Sequence, residues 1–151
     1  MKYKNTFFSI IIARFNYEEY ITTTLESLAK QTYKNFEVII VDDGSTDNSV
    51  NIIREFCNNN PQFKLYTHEN NGNKGLKDTI FLGLSKAKGD FIAFCESDDY
   101  WSDNHLEEIN KVINQNPTVA LIANGIKLFP YIEYEAKILQ ASRKALLKNP
   151  K

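Results

Sequence analysis

"FEVIIVDDGST", Phe36 to Thr46, decides the fold. Apart from Glu37, its first six residues are apolar and mostly β-branched, which reads as a strand buried on both faces, the kind found in parallel sheets. The run then stops on Asp42 and Asp43 and a glycine, so the strand ends in a polar turn. "FFSIIIA", Phe7 to Ala13, carries the same signature upstream. Between the two, Ile21, Leu25 and Leu28 recur at helical spacing, Asn16 and Glu19 stand at capping-box distance, and "QTYKN" ends the pattern.

The alternation continues downstream. "GSTD" turns into a second helix with Val50, Ile53 and Phe56 on one face, and "NPQFKLYTH" supplies a third strand after Pro61. "NGNKGLKDTIFLGLSKAKG" reads as a glycine-opened loop and a helix, and "DFIAFCE" as a fourth strand. A helix over Asp103 to Gln115 and a strand in "TVALIA" after Pro117 follow. Strands alternating with helices predict an α/β fold, a mostly parallel sheet flanked by helices and joined by right-handed crossovers. From about Pro130 the text changes. "YIEYEAKILQASRKALLKNPK" reads as a solvated helix; its Lys137, Arg143, Lys144 and Lys148 leave a basic patch for an anionic acceptor or a membrane surface as the alternative.

Bulk composition narrows the function. With 151 residues, 42% of them hydrophobic, the chain is sized for one domain with its own core. Eighteen basic against nineteen acidic residues leave a formal charge of −1, so no global field draws it to nucleic acid. Cys57 and Cys95 lie in apolar segments at no metal-binding spacing and read as buried thiols. Arg14 cuts the N-terminal apolar run short of a signal peptide, and no stretch approaches the roughly 20 apolar residues of a membrane span. A cytoplasmic location is expected, with association at the inner face of the membrane left open.

In open α/β sheets ligands bind at the carboxyl ends of the strands. Two acidic pairs fall there, Asp42 and Asp43 after the second strand and Asp98 and Asp99 after the fourth. Each has a purely local reading: a turn with Ser45 or Thr46 capping the next helix, and a polar loop leading to a cap at Ser102 or Asp103. Brought to one edge, the carboxylates instead suit Mg²⁺ or Mn²⁺, hard cations that complete their shell with substrate phosphates. A phosphate-binding G-x-x-x-x-G-K-[ST] and a dinucleotide G-x-G-x-x-G are both missing. "GNKG", Gly72 to Gly75, reads as a turn, or as backbone N–H groups offered to an anion.

Taken together, "SIIIARFNYEEYITTTLESLAKQTYKNFEVIIVDDGSTDNSVNII", "NKGLKDTIFLGLSKAKGDFIAF" and "ESDDYW" resemble the family 2 glycosyltransferases of GT-A fold. The resemblance implies a Rossmann-like domain over residues 1–129 that binds a nucleoside-diphosphate sugar, with residues 130–151 leading toward an acceptor-binding half beyond this chain. "ARFN" stands where that family usually reads P-x-Y-N, which puts Ala13 in the place of the proline, Phe15 against the nucleobase and Asn16 at the following turn; Arg14 reads as a solvated arginine, with an altered loop or a phosphate contact as the alternative. Asp43 would hydrogen-bond the base, typically uracil. In "ESDD", Asp98 would lie near the ribose and diphosphate and, with Asp99 as principal ligand, hold Mn²⁺ or Mg²⁺; Glu96 would stand behind them. Ile80 and Phe81 replace an Arg-Asn pair usual in the family, and Lys77 is the candidate to supply the lost charge.

The implied reaction is inverting transfer of a sugar, from a UDP-linked donor, to the hydroxyl of a saccharide or glycolipid acceptor in bacterial surface polysaccharide synthesis. Its catalytic base would come from the further half, so none is assigned here. A nucleotide-sugar-binding or assembly module without transfer activity is the alternative. A receiver-like signalling domain fits poorly, since "YTHEN" has no phosphoacceptor aspartate and "IANGIK" offers only Lys127.

Overall fold

The computed structural model describes residues 5–123. Residues 1–4 and 124–151 lie outside it, and with them the expected C-terminal helix, its basic residues and Lys127. Four strands, β1 (Phe8–Arg14), β2 (Phe36–Asp42), β3 (Phe63–Thr67) and β4 (Phe91–Phe94), form one sheet in the order β3-β2-β1-β4. All pairings are parallel. Four helices connect and extend them: α1 (Ile21–Ala29), α2 (Ser49–Asn59), α3 (Leu76–Lys86) and α4 (His105–Gln115).

The two central strands are the two that the sequence marks most clearly. Every residue of β2 is buried, and so is β1 except for Ala13. Strands covered on both faces cannot alternate polar and apolar residues, which is why their text is a run rather than a pattern of twos. Their register pairs Phe8 with Phe36 and Arg14 with Asp42, so both strands end at the same level and their following loops emerge side by side.

Ile21, Leu25 and Leu28 of α1 are fully buried, as their spacing predicts. On α2 only Ile53 of the expected apolar face is fully buried; Phe56 sits half-buried with its ring edge-on to Phe63, centroids 5.1 Å apart. α3 packs closest to the sheet at Gly83, where a Cβ would come within 2.7 Å of Ile11 Cγ2. Ile11, Ile39 and Val41 form the core beneath it, with Tyr66, Leu82 and Ala87 closing the sides.

Three local expectations are corrected. Asn16 and Glu19 do not form a capping box: α1 starts at Ile21 after Tyr20, without a side-chain cap, because Asn16 Oδ1 accepts the Thr46 N–H 30 residues away. The caps proposed for α2, Ser45 and Thr46, bond to other residues instead, and both α2 and α4 start one residue after an asparagine, Asn48 and Asn104, with no side-chain cap bond. "TVALIA" forms no strand in its described residues. It joins no ladder of the sheet; its Val119 N–H instead makes a turn bond back to the Asn116 carbonyl, and Leu121 is exposed.

At the amino ends of the strands, Glu37 is the polar residue inside the β2 run. It accepts from the Ser9 hydroxyl at 2.8 Å and from the Lys88 N–H at 2.9 Å, while Ser9 Oγ accepts the Gly89 N–H. The buried carboxylate thus fastens the α3–β4 connection to both central strands. Removing one partner of a buried hydrogen bond costs about 1–3 kcal/mol. Glu37→Ala is expected to lower stability by about 2 kcal/mol or more, read as a fall in the urea midpoint, with an unchanged midpoint contradicting the anchoring role.

Candidate functional site

A cleft of about 440 Å³ opens at the carboxyl ends of β1, β2 and β4. Ala13, Arg14, Phe15 and Tyr17 line it from the end of β1, and Asp43 from the end of β2. Asn73, Gly75, Leu76 and Thr79 close it from the start of α3, and Glu96, Ser97 and Asp98 from the loop after β4. Phe15, part of this lining, is 43% exposed, a large ring left in solvent.

Asp43 is buried, but not unpartnered. Its carboxylate accepts the Lys74 N–H at 2.6 Å and the Gly75 N–H at 3.0 Å, and His68 Nε2 stands 3.6 Å away. The anion held by the "GNKG" amides is therefore the protein's own Asp43. Gly44 makes this possible: its φ is +78°, and a Cβ there would lie 2.7 Å from the Asn71 carbonyl oxygen. His68 in turn shares a hydrogen bond with the Thr79 hydroxyl at 3.0 Å, tying the end of β3 to α3.

Asp42 faces a different task. It accepts the Gly44 and Ser45 N–H groups and the Ser45 hydroxyl, the last at 2.5 Å, and it pairs with Arg14 at 3.3 Å. The turn reading of "DDGST" holds for Asp42, whose side chain closes the turn on itself. Arg14 is buried with its guanidinium fully enclosed, against the reading of an exposed arginine that its position after a strand invites. Burial pulls its pKa down, and the charges of Asp42 and Asp47 push back.

The third wall is the acidic loop. Asp99 N–H donates to the Glu96 carbonyl, making a tight turn. The Ser97 carbonyl accepts the Thr24 hydroxyl at 2.9 Å, the Trp101 N–H donates to Ser27 Oγ, and Gln31 bridges the Ser102 carbonyl and the Leu106 N–H. Thr24, Ser27 and Gln31 are buried polar residues one helical turn apart on and just after α1, and they hold this loop against the sheet. Sequence reasoning missed them; the signal was a polar stripe interleaved with Ile21, Leu25 and Leu28.

Of the candidate residues, Ala13, Phe15, Asp43 and Asp98 thus surround one cleft. Asp99, next to Asp98, is exposed and outside the cleft lining, and so is Lys77, whose Nζ stands 6.0 Å from the centroid of the exposed Phe81 ring. Among the described residues no ion pair involves Glu96, Asp98 or Asp99, and no group of three His, Cys, Asp or Glu side chains is already gathered as a metal cage. Oxygen donors without a counter-charge suit a hard divalent cation that takes the rest of its shell from a ligand. The local field is felt at Cys95, whose thiol is pushed far above its ordinary value, by burial first and then by the charges of Asp99, Glu96 and Asp98.

A model for glycosyl transferase family 2 matches residues 9–141. The putative glycosyltransferase EpsH of Bacillus subtilis is 41% identical over 101 residues, covering 67% of this chain and 28% of that protein. The Escherichia coli UDP-Glc:α-D-GlcNAc-diphosphoundecaprenol β-1,3-glucosyltransferase WfaP is 44% identical over 110 residues, covering 69% of this chain and 42% of that protein. Among solved structures, Staphylococcus aureus TarS 1–349 in complex with UDP-GlcNAc superposes with a TM-score of 0.68 at 31% identity, covering 81% of this chain and 37% of that one. The chain thus spans less than half the length of each.

Two outcomes follow from the charges around the cleft. Burial raises the Asp47 carboxyl, but hydrogen bonds from the Ser49 hydroxyl and from the Ser49 and Glu18 N–H groups, together with the Arg14 charge, hold it below its ordinary value. Its stabilisation is therefore complete above the unfolded carboxyl pKa of about 3.9 and is lost as pH falls through the lower folded value. Asp47→Asn should lower the urea midpoint at pH 7 and flatten its decline below about pH 4; parallel pH profiles would count against this. The Cys95 thiol, buried and held protonated, should react with a thiol-specific disulfide reagent at pH 8 far more slowly in the native protein than after unfolding in urea, since the thiolate is the reactive form; equal rates would contradict this.

Proposed function

The chain belongs to glycosyl transferase family 2, and on that premise we propose that it is the donor-binding part of an inverting glycosyltransferase, taking its sugar from a UDP-linked donor. The observation that carries this reading is the single cleft uniting an exposed aromatic ring, a carboxylate held in place by backbone N–H groups, and a separate carboxylate cluster. A nucleoside diphosphate needs three things of that kind: a flat apolar contact for the base, an acceptor for the base N–H, and carboxylates that would hold a divalent cation as the counter-charge for the diphosphate.

In this arrangement Phe15 stacks on the nucleobase and Asp43 accepts its ring N–H. Lys74 and Gly75 hold the Asp43 carboxylate in place beforehand, so little ordering remains at the moment of binding. Asp98, from the cleft, and Asp99, beside it, would hold Mg²⁺ or Mn²⁺, with Glu96 behind them. A divalent ion bound there supplies Lewis-acid neutralisation of the departing diphosphate. The acceptor hydroxyl is deprotonated by a base supplied from outside residues 1–129, with residues 130–151 leading toward that half. TarS, which binds UDP-GlcNAc, supports the uridine donor, and WfaP, named for transfer to a diphosphoundecaprenol-linked sugar, supports a glycolipid acceptor in surface polysaccharide synthesis. Among the described residues no helix is long and apolar enough to cross a membrane.

One observation favours the alternative of a binding module without transfer. Ile80 and Phe81 put apolar side chains where the family's Arg-Asn pair stands, and Lys77 lies over Phe81 rather than in the cleft lining. A thermal-shift titration with UDP, GDP and dTDP, each with Mn²⁺ or EDTA, decides binding. Ligand at 100 times its dissociation constant stabilises a native site by about 2.7 kcal/mol. A Mn²⁺-dependent shift with UDP is expected, lost in Asp99→Ala and weakened in Asp43→Asn. No shift with any nucleotide would overturn the donor-site reading, and binding without hydrolysis or transfer of UDP-sugar would favour the module.

A further inference from the structure

Arg14 is an expensive residue to keep. Its guanidinium is fully enclosed, and its Nε and Nη1 have no hydrogen-bond partner among the described residues. Two carboxylates balance it, Asp42 at 3.3 Å and Asp47 at 3.7 Å, the first itself buried. A buried ion pair seldom stabilises more than well-packed apolar side chains would, because taking both charges out of water costs as much as their attraction returns. Stability alone therefore gives no reason for an arginine here.

Position does. Arg14 Nη2 donates to Ser45 Oγ at 3.2 Å, and the same hydroxyl donates to Asp42 Oδ1 and accepts the Asn16 N–H at 2.9 Å. The Arg14 carbonyl accepts the Asp43 N–H at 2.8 Å. Phe15 lies between the two residues of β1's end that these bonds hold, Arg14 and Asn16. Asp43 lies between the two residues of β2's end that they hold, Asp42 and Gly44's neighbour Ser45. Asn16 takes a left-handed backbone, φ 54°, which its bonds to Ser45 and Thr46 maintain.

We infer that Arg14 is a positioning residue that clamps the loop after β1 to the loop after β2, and so sets the distance between the base-stacking Phe15 and the base-reading Asp43. The inference rests on the donor-site reading above. Through this clamp Arg14 governs which base is accepted without touching it. A lysine cannot replace it: one ammonium on a flexible stem does not reach Asp42, Ser45 and Asp47 together as the planar fork does.

The test uses the 151-residue chain and three forms: wild type, Arg14→Lys, and the charge-neutral pair Arg14→Leu with Asp42→Asn, which keeps the experiment informative should the lysine form unfold. Amide exchange is measured without ligand, and UDP and GDP affinities by calorimetry with Mg²⁺. In both variants exchange at Asn16, Asp43, Ser45 and Thr46 should accelerate at least tenfold while Val38 to Val41 stay protected. UDP should bind about tenfold more weakly, and the preference for one base over the other should shrink, while the melting temperature of the charge-neutral pair holds or rises. A structural role alone would lower melting temperature and leave the base preference intact. Unchanged exchange at the four amides overturns the clamp whatever the nucleotide data; faster exchange with an unchanged base preference overturns its role in specificity. A wild type that binds neither nucleotide overturns the donor-site reading itself and the specificity role with it, leaving exchange to judge the clamp.

Discussion

Burial of β1 and β2 on both faces governs where this chain can keep its charge. Strands with no solvent-facing side cannot carry carboxylates along their length, except where a partner is built for them, as at Glu37. Polar chemistry is pushed to the strand ends, and the common register of β1 and β2 brings those ends to one level. The cleft is thus a consequence of the core. Asp43, Arg14 and Phe15 gather there because they end or directly follow the two apolar runs, Arg14 and Asp43 still buried but with partners built for them and Phe15 exposed.

The edge is organised by two different electrostatic arrangements. Around Asp42 and Asp43 the charge is compensated, by Arg14 in one case and by backbone N–H groups in the other. Around Glu96, Asp98 and Asp99 it is not, and those side chains remain exposed, where water limits the repulsion. The polar stripe of α1 explains how such a loop is held: Thr24, Ser27 and Gln31 bind its backbone, leaving every carboxylate of the loop unspent. A compensated half suits reading a neutral base, and an uncompensated half suits a cation with a diphosphate.

Much of this was legible in the residues. The apolar runs marked the parallel strands, the heptad-like spacing of Ile21, Leu25 and Leu28 marked α1, and the acidic pairs at the strand ends marked the cleft. What escaped was long-range. Asn16 looked like a helix cap because capping is read from neighbours three residues apart, whereas its partner is Thr46 on another loop. Arg14 looked solvent-directed because no local signal announces an aspartate 28 positions on that pairs with it in register. "TVALIA" had the composition of a strand, but composition cannot say whether a sheet edge is there to receive it. The same limit hid Thr24, Ser27 and Gln31, whose value lies in a loop more than 70 residues away.

Gly44 carries a consequence for how the site can diversify. The loop after β2 passes so close to the segment before α3 that a single methyl group at Gly44 would collide with the backbone at Asn71 and Asn73. That crossing is a pivot common to both loops. Glu69 and Asn70 of the same segment are exposed and lie outside the crossing, while the crossing itself admits no side chain at position 44. New ligand preferences can be explored by rewriting the outer arc of that loop, with the hinge against Gly44 inherited unchanged.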